Sequence, residues 1–340
     1  MKKKFSTMIL AVCLLLGLSA CGGESGQTGG DGGNVILESR LNEDLVYYKS
    51  DLNLGQPADA AYVDFKMYGQ NVYYPNGKDI VFYSYADEKK SADTFQWTDA
   101  PGEWAFCRVC YSRLGEVYAV VKAQNAYYLC KFDMERKASL SVELGKYYQE
   151  AGESFTEDCR LEIGEDDRIY VSGTGMVWVF EPDGSYRDTV SFGNTKDVRV
   201  RDLQSSPEGK LYVLYEDKAA EEQFVAEIDT KKTAVTARQK TIGLTGISVM
   251  EEKLLAYNEA LVYTYDRQVG ALTELFTWAE CNVKEVSAYR ARQLSDGSVL
   301  VAGQLSGGGV TSFLVRSMLV GASEMSESGK TQIRLAQLFE

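Results

Sequence analysis

Cys107 and Cys110 stand three positions apart, the spacing that redox and zinc sites use, and are the first candidates for chemistry in this chain of 340 residues. The run around them, Trp104-Ala105-Phe106-Cys107-Arg108-Val109-Cys110-Tyr111, reads as a β-strand, in which positions three apart face opposite sides. Sulfurs that point apart cannot share a metal, so the pair reads as small buried filler. Cys130, Cys159 and Cys281 bring the count after Cys21 to an odd five, so at least one thiol stays unpaired if the others form disulfides. Histidine is absent altogether. That excludes Ser or Cys nucleophiles activated by an imidazole and removes the commonest zinc ligand. Any enzyme here would have to use carboxylates, Tyr, Lys or an oxygen-bound metal.

Two acidic clusters could offer oxygen ligands: Glu162, Glu165, Asp166 and Asp167, and Glu216, Asp217, Glu221 and Glu222. Their spacing is not that of a calcium loop, and they read as solvated turns. The glycines of Gly173-Thr174-Gly175 and Gly307-Gly308-Gly309 fall between two strands, where hairpins need positive φ. A phosphate cradle would need a helix N-terminus behind them, and none is expected. Trp97 and Trp104 flank a turn-rich insertion, Thr98-Asp99-Ala100-Pro101-Gly102-Glu103. Exposed aromatics of this kind stack on sugars or anchor protein partners, which makes the two tryptophans the candidate ligand-binding residues; packing between strands is the competing role. No catalytic residue, metal ligand or cofactor is expected.

The elements that carry these residues repeat. A turn with acid, Gly or Asn leads into a short aliphatic-aromatic strand, and a second aromatic strand follows and ends near Asp. Glu165-Asp166-Asp167-Arg168-Ile169-Tyr170-Val171 followed by Val177-Trp178-Val179-Phe180-Glu181-Pro182-Asp183-Gly184 is the clearest copy. Aligning Val72, Val117, Ile169, Leu211, Leu254 and Val299 gives intervals of 45, 52, 42, 43 and 45 residues. A period near 45 with four short strands per unit is the signature of a β-propeller. The chain therefore reads as all-β, a β-propeller with six visible blades over residues 41–322. Asp44-Leu45-Val46-Tyr47-Tyr48 either closes the ring as an outer strand or begins a seventh blade. Twenty-two Tyr and 13 Phe against 5 Pro, in apolar runs of four to six residues between turns, support strands over helices. Two β-sandwiches are the rival architecture.

Acids outnumber bases, 49 to 36. Affinity for polyphosphate rests on clustered Lys and Arg, so no nucleic-acid partner is expected. Residues 1–20 hold Lys2, Lys3 and Lys4, an apolar run from Met8 to Leu18, then Ser19-Ala20 ahead of Cys21. Their order is that of a secretory signal. Residues 22–33 are Gly-rich and behave as a flexible coil with a reach of roughly 20 Å; the tether is taken to extend to residue 40.

Leu18-Ser19-Ala20-Cys21 resembles the lipobox of bacterial lipoproteins, whose cysteine is diacylated and becomes the new N-terminus. The resemblance implies a cell-membrane protein held on the extracytoplasmic face by lipid on Cys21; each buried methylene contributes about 0.8 kcal/mol to such an anchor. Residues 60 to 318 resemble the blades of bacterial propellers of the NHL and pyrroloquinoline-quinone-repeat type, a likeness of architecture. Segment 323–340 is a polar linker and then Thr331-Gln332-Ile333-Arg334-Leu335-Ala336. The latter is similar to the opening strand of the solute-binding domain of ABC importers, which some surface lipoproteins place after a propeller. That resemblance implies kinship to sugar or peptide capture, without the cleft itself. A solvent-exposed C-terminal strand, or a strand closing the propeller, is the alternative.

Together these features lead to the expectation of a non-catalytic, membrane-anchored binding or scaffolding propeller. The membrane is its first partner and a protein or glycan its second. An exported metal-dependent hydrolase or lactonase-like enzyme, and a cell-envelope assembly scaffold, are the alternatives. No set of residues at equivalent blade positions is evident in the sequence that would converge on the central channel.

Overall fold

A computed structural model describes residues 35–39, 45–51, 66–68, 71–84, 89–151, 155–156, 158–173, 175–194, 196–249, 253–281, 286–294, 297–305, 310–320 and 335–336. Cys21, the leader and most of the tether and tail lie outside them. Two N-terminal strands, β1 (Ile36–Glu38) and β2 (Leu45–Asp51), precede the first blade. Blade one is β3 (Lys66–Tyr68), β4 (Asn71–Asn76), β5 (Asp79–Ser84) and β6 (Lys89–Thr94); blade two is β7 (Trp104–Tyr111), β8 (Val117–Ala123), β9 (Ala126–Phe132) and β10 (Ala138–Glu143). After a short helix, α1 (Gly145–Ala151), blade three follows as β11 (Leu161–Ile163), β12 (Ile169–Ser172), β13 (Met176–Phe180) and β14 (Tyr186–Ser191). Blade four is β15 (Val198–Ser205), β16 (Lys210–Asp217), β17 (Glu222–Asp229) and β18 (Ala234–Thr241). Blade five is β19 (Gly246–Val249), β20 (Leu254–Tyr257), β21 (Leu261–Tyr265) and β22 (Ala271–Thr277). Blade six contains β23 (Val286–Gln293), β24 (Val299–Leu305) and β25 (Val310–Val320), with the two-residue β26 (Leu335–Ala336) beside β25.

Six sheets, each antiparallel along the chain, form a six-bladed β-propeller. The N-terminal segment closes the ring: β2 pairs antiparallel with β25 and serves as the outer strand of blade six. Of the two roles open to Asp44–Tyr48 in the sequence, ring closure is therefore the one adopted. β1 falls within the span expected to be tether, yet it adds a fifth, parallel strand to blade five, with Ile36 opposite Ala271.

Burial follows the blade order. β8, β12, β13 and β20 are buried almost throughout because both faces meet a neighbouring blade. The outer strands β6 and β10 alternate or are exposed, and their sequences, Lys-Lys-Ser-Ala-Asp-Thr and Ala-Ser-Leu-Ser-Val-Glu, are correspondingly polar. Charge on such edges discourages further strand pairing. Hydrophobic clusters lie between blades, for example Tyr170, Val177 and Val179 of blade three against Val200, Leu211, Val213 and Phe224 of blade four.

Repeated side chains stabilise the blades in the same way each time. Asp133, Asp229 and Asp266, each at or just past the end of the third strand, accept backbone N–H bonds from the turn to the outer strand, as in Asp266 from Gln268 at 2.8 Å. The turn from first to second strand needs a positive φ, which Gly115, Gly209 and Gly297 supply and which Asp167 adopts at 60° in blade three. The helix α1 is not evident in the sequence pattern. Tyr148 on it is buried against Trp178, with ring centroids 4.1 Å apart, so it fills the space between blades two and three.

Candidate functional site

The first strand of each blade lines the central channel, and strand register identifies which of its residues are equivalent. Lys66 lies opposite Tyr73, Cys110 opposite Tyr118, Glu162 opposite Tyr170, Gln204 opposite Tyr212, Ser248 opposite Leu255 and Arg292 opposite Leu300. Every partner is the residue that follows the repeat's aligned aliphatic position. One position per blade therefore gives Lys66, Cys110, Glu162, Gln204, Ser248 and Arg292, and all six line a single cavity of about 900 Å³. Pro207, Lys253 and Gly297, from turns between first and second strands, also line it and place it at that end of the channel. Tyr73, Tyr111, Ser205 and Gln293 add polar groups.

Lys66, Glu162 and Arg292 are buried, and Lys253 is partly so. Lys66 of blade one pairs with Glu162 of blade three and donates to the Leu161 carbonyl at 2.6 Å. The other Glu162 oxygen accepts from Ser205 Oγ of blade four at 3.1 Å. Behind the lining, Asp202 of blade four is 0% exposed. It accepts the N–H groups of Leu203 and Ile247, both at 3.0 Å, and lies 3.8 Å from the guanidinium groups of Arg160 and Arg292. Arg292 also donates to the Ile247 carbonyl at 3.0 Å, and Arg108 to that of Cys159 at 2.8 Å. All but the Leu203 bond cross from blade to blade, so the lining is positioned by a rigid shell.

Electrostatics set the protonation of the neutral groups. Burial pushes the Cys110 thiol up to about 11, with Lys66 drawing it down and Glu162 pushing it up. A thiol so raised is the reverse of an activated nucleophile. Burial also holds the Tyr73 phenol well above its ordinary value, and its oxygen accepts the Tyr111 N–H at 3.2 Å. The cavity thus presents neutral hydroxyl, amide and thiol groups beside fixed charges.

The sequence candidates fare differently. Trp97 and Trp104 are each 8% exposed and lie in the cluster between blades one and two, with Phe95, Phe106 and Phe132. Their centroids are 6.2 Å apart, so the structure places both in the packing role, away from the channel cavity. Cys107 and Cys110 do not face apart: a bulge between Phe106 and Arg108 shifts the parity, and both pack against the cluster between blades two and three. The five cysteines from Cys107 onward are thiols rather than disulfides. The first acidic cluster is not wholly a solvated turn, because Glu162 is buried in the channel, whereas Asp166 pairs with Arg168 at 2.7 Å and Glu165 with Arg113. In the second, Glu216 pairs with Arg201 and Asp217 accepts turn N–H groups from Ala219 and Ala220. Among the described residues no three His, Cys, Asp or Glu side chains are grouped to hold a metal. Gly173 lies in the hairpin between β12 and β13, as expected, but without the positive φ expected of it; Gly307, Gly308 and Gly309 lie outside the described residues.

Sequence reasoning misses the channel ring because its six members share no chemistry. The signal that could have found it is spacing: each lies six or seven residues before the aligned aliphatic position of its blade.

No family model and no curated protein matches the chain. Among solved structures, an oligogalacturonate lyase from Vibrio parahaemolyticus is similar with a TM-score of 0.51, at 9% identity over 77% of this chain and 76% of its own. Virginiamycin B lyase from Staphylococcus aureus gives 0.46 at 12% identity, over 79% and 88%. The Dos1 propeller gives 0.45 at 11%, over 78% and 82%. The chain shares their propeller fold. Because the first of these neighbours is named as a lyase, the fold itself lends nothing to the expectation of a non-enzyme, and function has to be argued from the site.

Proposed function

We propose that this protein is a binding propeller that captures a small polar solute, a sugar or a peptide, at the mouth of its central channel, and that lipid on Cys21 holds it at the extracytoplasmic face of the cell membrane. The observation that carries the binding reading is the convergence of six register-equivalent residues on one cavity of about 900 Å³, a volume within the usual range of small-molecule sites. The chemistry of that cavity favours binding over turnover. Its carboxylate, Glu162, is engaged by Lys66 and Ser205, and its thiol, Cys110, is held neutral by burial. A general base or nucleophile would need the opposite environment.

The test is a thermal-shift and calorimetric screen of the purified full chain against sugars, short peptides and organic acids. At least one solute should raise the melting temperature, and Ser248→Trp, which fills the cavity, should abolish that rise. Binding indifferent to Ser248→Trp would refute the channel as the site; chelator-sensitive turnover of a bound lactone or glycoside would refute the non-catalytic reading. For the anchor, Cys21→Ser should end both incorporation of a palmitate analogue and membrane fractionation, and retention of both would refute it.

A further inference from the structure

The whole chain carries a net charge of −13, yet among the described residues of its channel cations outnumber carboxylates. Lys66, Lys253 and Arg292 line the cavity, and Glu162 is the single carboxylate among the described lining residues. In the shell behind, Arg108 and Arg160 accompany one buried acid among the described residues, Asp202. Asp202 shares its one negative charge between two guanidinium groups. An excess of cations over carboxylates at the mouth gives it a positive potential, which draws and holds a bound anion. A guanidinium in such a place matches a carboxylate in geometry as well as charge.

We propose that the captured solute carries a carboxylate, held beside Arg292 and Lys253, while Gln204, Ser205 and Ser248 hydrogen-bond its neutral polar part. This rests on the binding reading above and adds the charge of the ligand to it. Gln204, Ser205, Ser248 and Arg292 come from blades four, five and six, so the cations and the neutral groups share one side of the mouth. The acidic exterior then works as a filter: it repels anions weakly over most of the surface, and the attractive potential is confined to the channel.

Calorimetry on the full chain with matched pairs, glucose against glucuronate and sorbitol against gluconate, tests this. The acid of at least one pair should bind at least tenfold more tightly than its neutral partner, and raising the salt from about 50 to 500 mM should weaken the acid several-fold. Lys253→Glu, at the rim, should lower acid affinity threefold or more without changing the melting temperature. Gln204→Ala should weaken both members of a pair and keeps the assignment testable if Ser248→Trp fails to fold. Equal affinity for acid and neutral partner, abolished by Ser248→Trp or weakened by Gln204→Ala, would overturn the carboxylate while leaving the channel as the site. Binding of inorganic phosphate as tight as that of the acids would overturn it too. If no pair shows binding sensitive to either variant, both readings fall.

Discussion

Replacing Asp202 with alanine is the sharpest test of how the channel is held open. The carboxylate is fully buried, bonded to two backbone N–H groups at 3.0 Å and placed 3.8 Å from both Arg160 and Arg292. Removing one partner of a buried ion pair costs roughly 3–5 kcal/mol because the remaining charge is left uncompensated. The two N–H groups lose their acceptor as well, at about 1–3 kcal/mol each where water cannot replace it. Ion-pair distances of 3.8 Å argue for the lower part of the first range, and water entering from the channel offsets part of the second. A loss of about 4 kcal/mol is therefore expected, or about 8 °C in Tm at about 2 °C per kcal/mol for a chain of this size. Urea unfolding followed by tryptophan fluorescence reads the loss as a lower midpoint. Asp202→Ala combined with Arg292→Met should be less destabilised than the sum of the two single changes, by at least about 1 kcal/mol. A single-variant loss below about 1 kcal/mol, or strict additivity, would refute the view that this carboxylate ties blades four, five and six together.

Other substitutions separate packing from polar contacts. Gly173→Ala should cost about 1–3 kcal/mol in urea unfolding, because an added Cβ would meet the Trp178 ring and Tyr148. Tyr265→Phe should be neutral or stabilising in the same assay, since the Tyr265 hydroxyl is buried without a hydrogen-bond partner among the described residues, whereas Tyr212→Phe should cost about 1 kcal/mol by losing the Arg267 bond at 2.7 Å. Burial raises the phenols of Tyr74 and Tyr212 to about 12. A raised folded-state value keeps its stability contribution below the unfolded value near 10 and loses it as pH rises toward 12. The loss is at most about 1.4 kcal/mol per pH unit for each tyrosine, and less where solvent screens the hydroxyl. Ionisation of Tyr74 and Tyr212, read residue by residue from their ring NMR signals, should accordingly accompany unfolding between about pH 10 and 12; ionisation of these two near pH 10 with the fold intact would refute the burial. Burial also raises the thiols of Cys110 and Cys130, so site-resolved alkylation near pH 8 should spare both until the protein is denatured.

The propeller was legible because its strongest signal is periodic. The second strand of each blade is buried on both faces, which demands an aliphatic-aromatic run, and the turn before it demands a residue that tolerates positive φ, so Leu114-Gly115-Glu116-Val117-Tyr118 and Glu208-Gly209-Lys210-Leu211-Tyr212 look alike. Blade three keeps the backbone and replaces the glycine with Asp167. Strand parity was legible only where strands are regular: the bulge beside Cys107 reversed the expected facing of the cysteine pair. Exposure of Trp97 and Trp104 was not legible at all, because a turn-rich insertion gives no sign of whether its flanking rings fold inward.

The channel residues escaped notice for a different physical reason. Packing between blades imposes the same demand on every copy, and the sequence repeats. A ligand imposes a different demand on each copy, since one blade must offer a cation, another an amide and another a small hydroxyl to surround an asymmetric molecule. Divergence at a position whose backbone is held equivalent by register is then itself a mark of a binding site. Lys66, Cys110, Glu162, Gln204, Ser248 and Arg292 have that property. The partners opposite them do not: four are Tyr and two are Leu. If the ring served only to plug the channel, one residue type could fill all six places, and substitutions among them would alter stability in proportion to volume alone. The binding reading requires that Gln204→Ala and Ser248→Ala, each a small change in volume, alter solute affinity by severalfold while leaving the urea midpoint nearly unchanged. Matched losses of affinity and stability would instead assign the ring to packing.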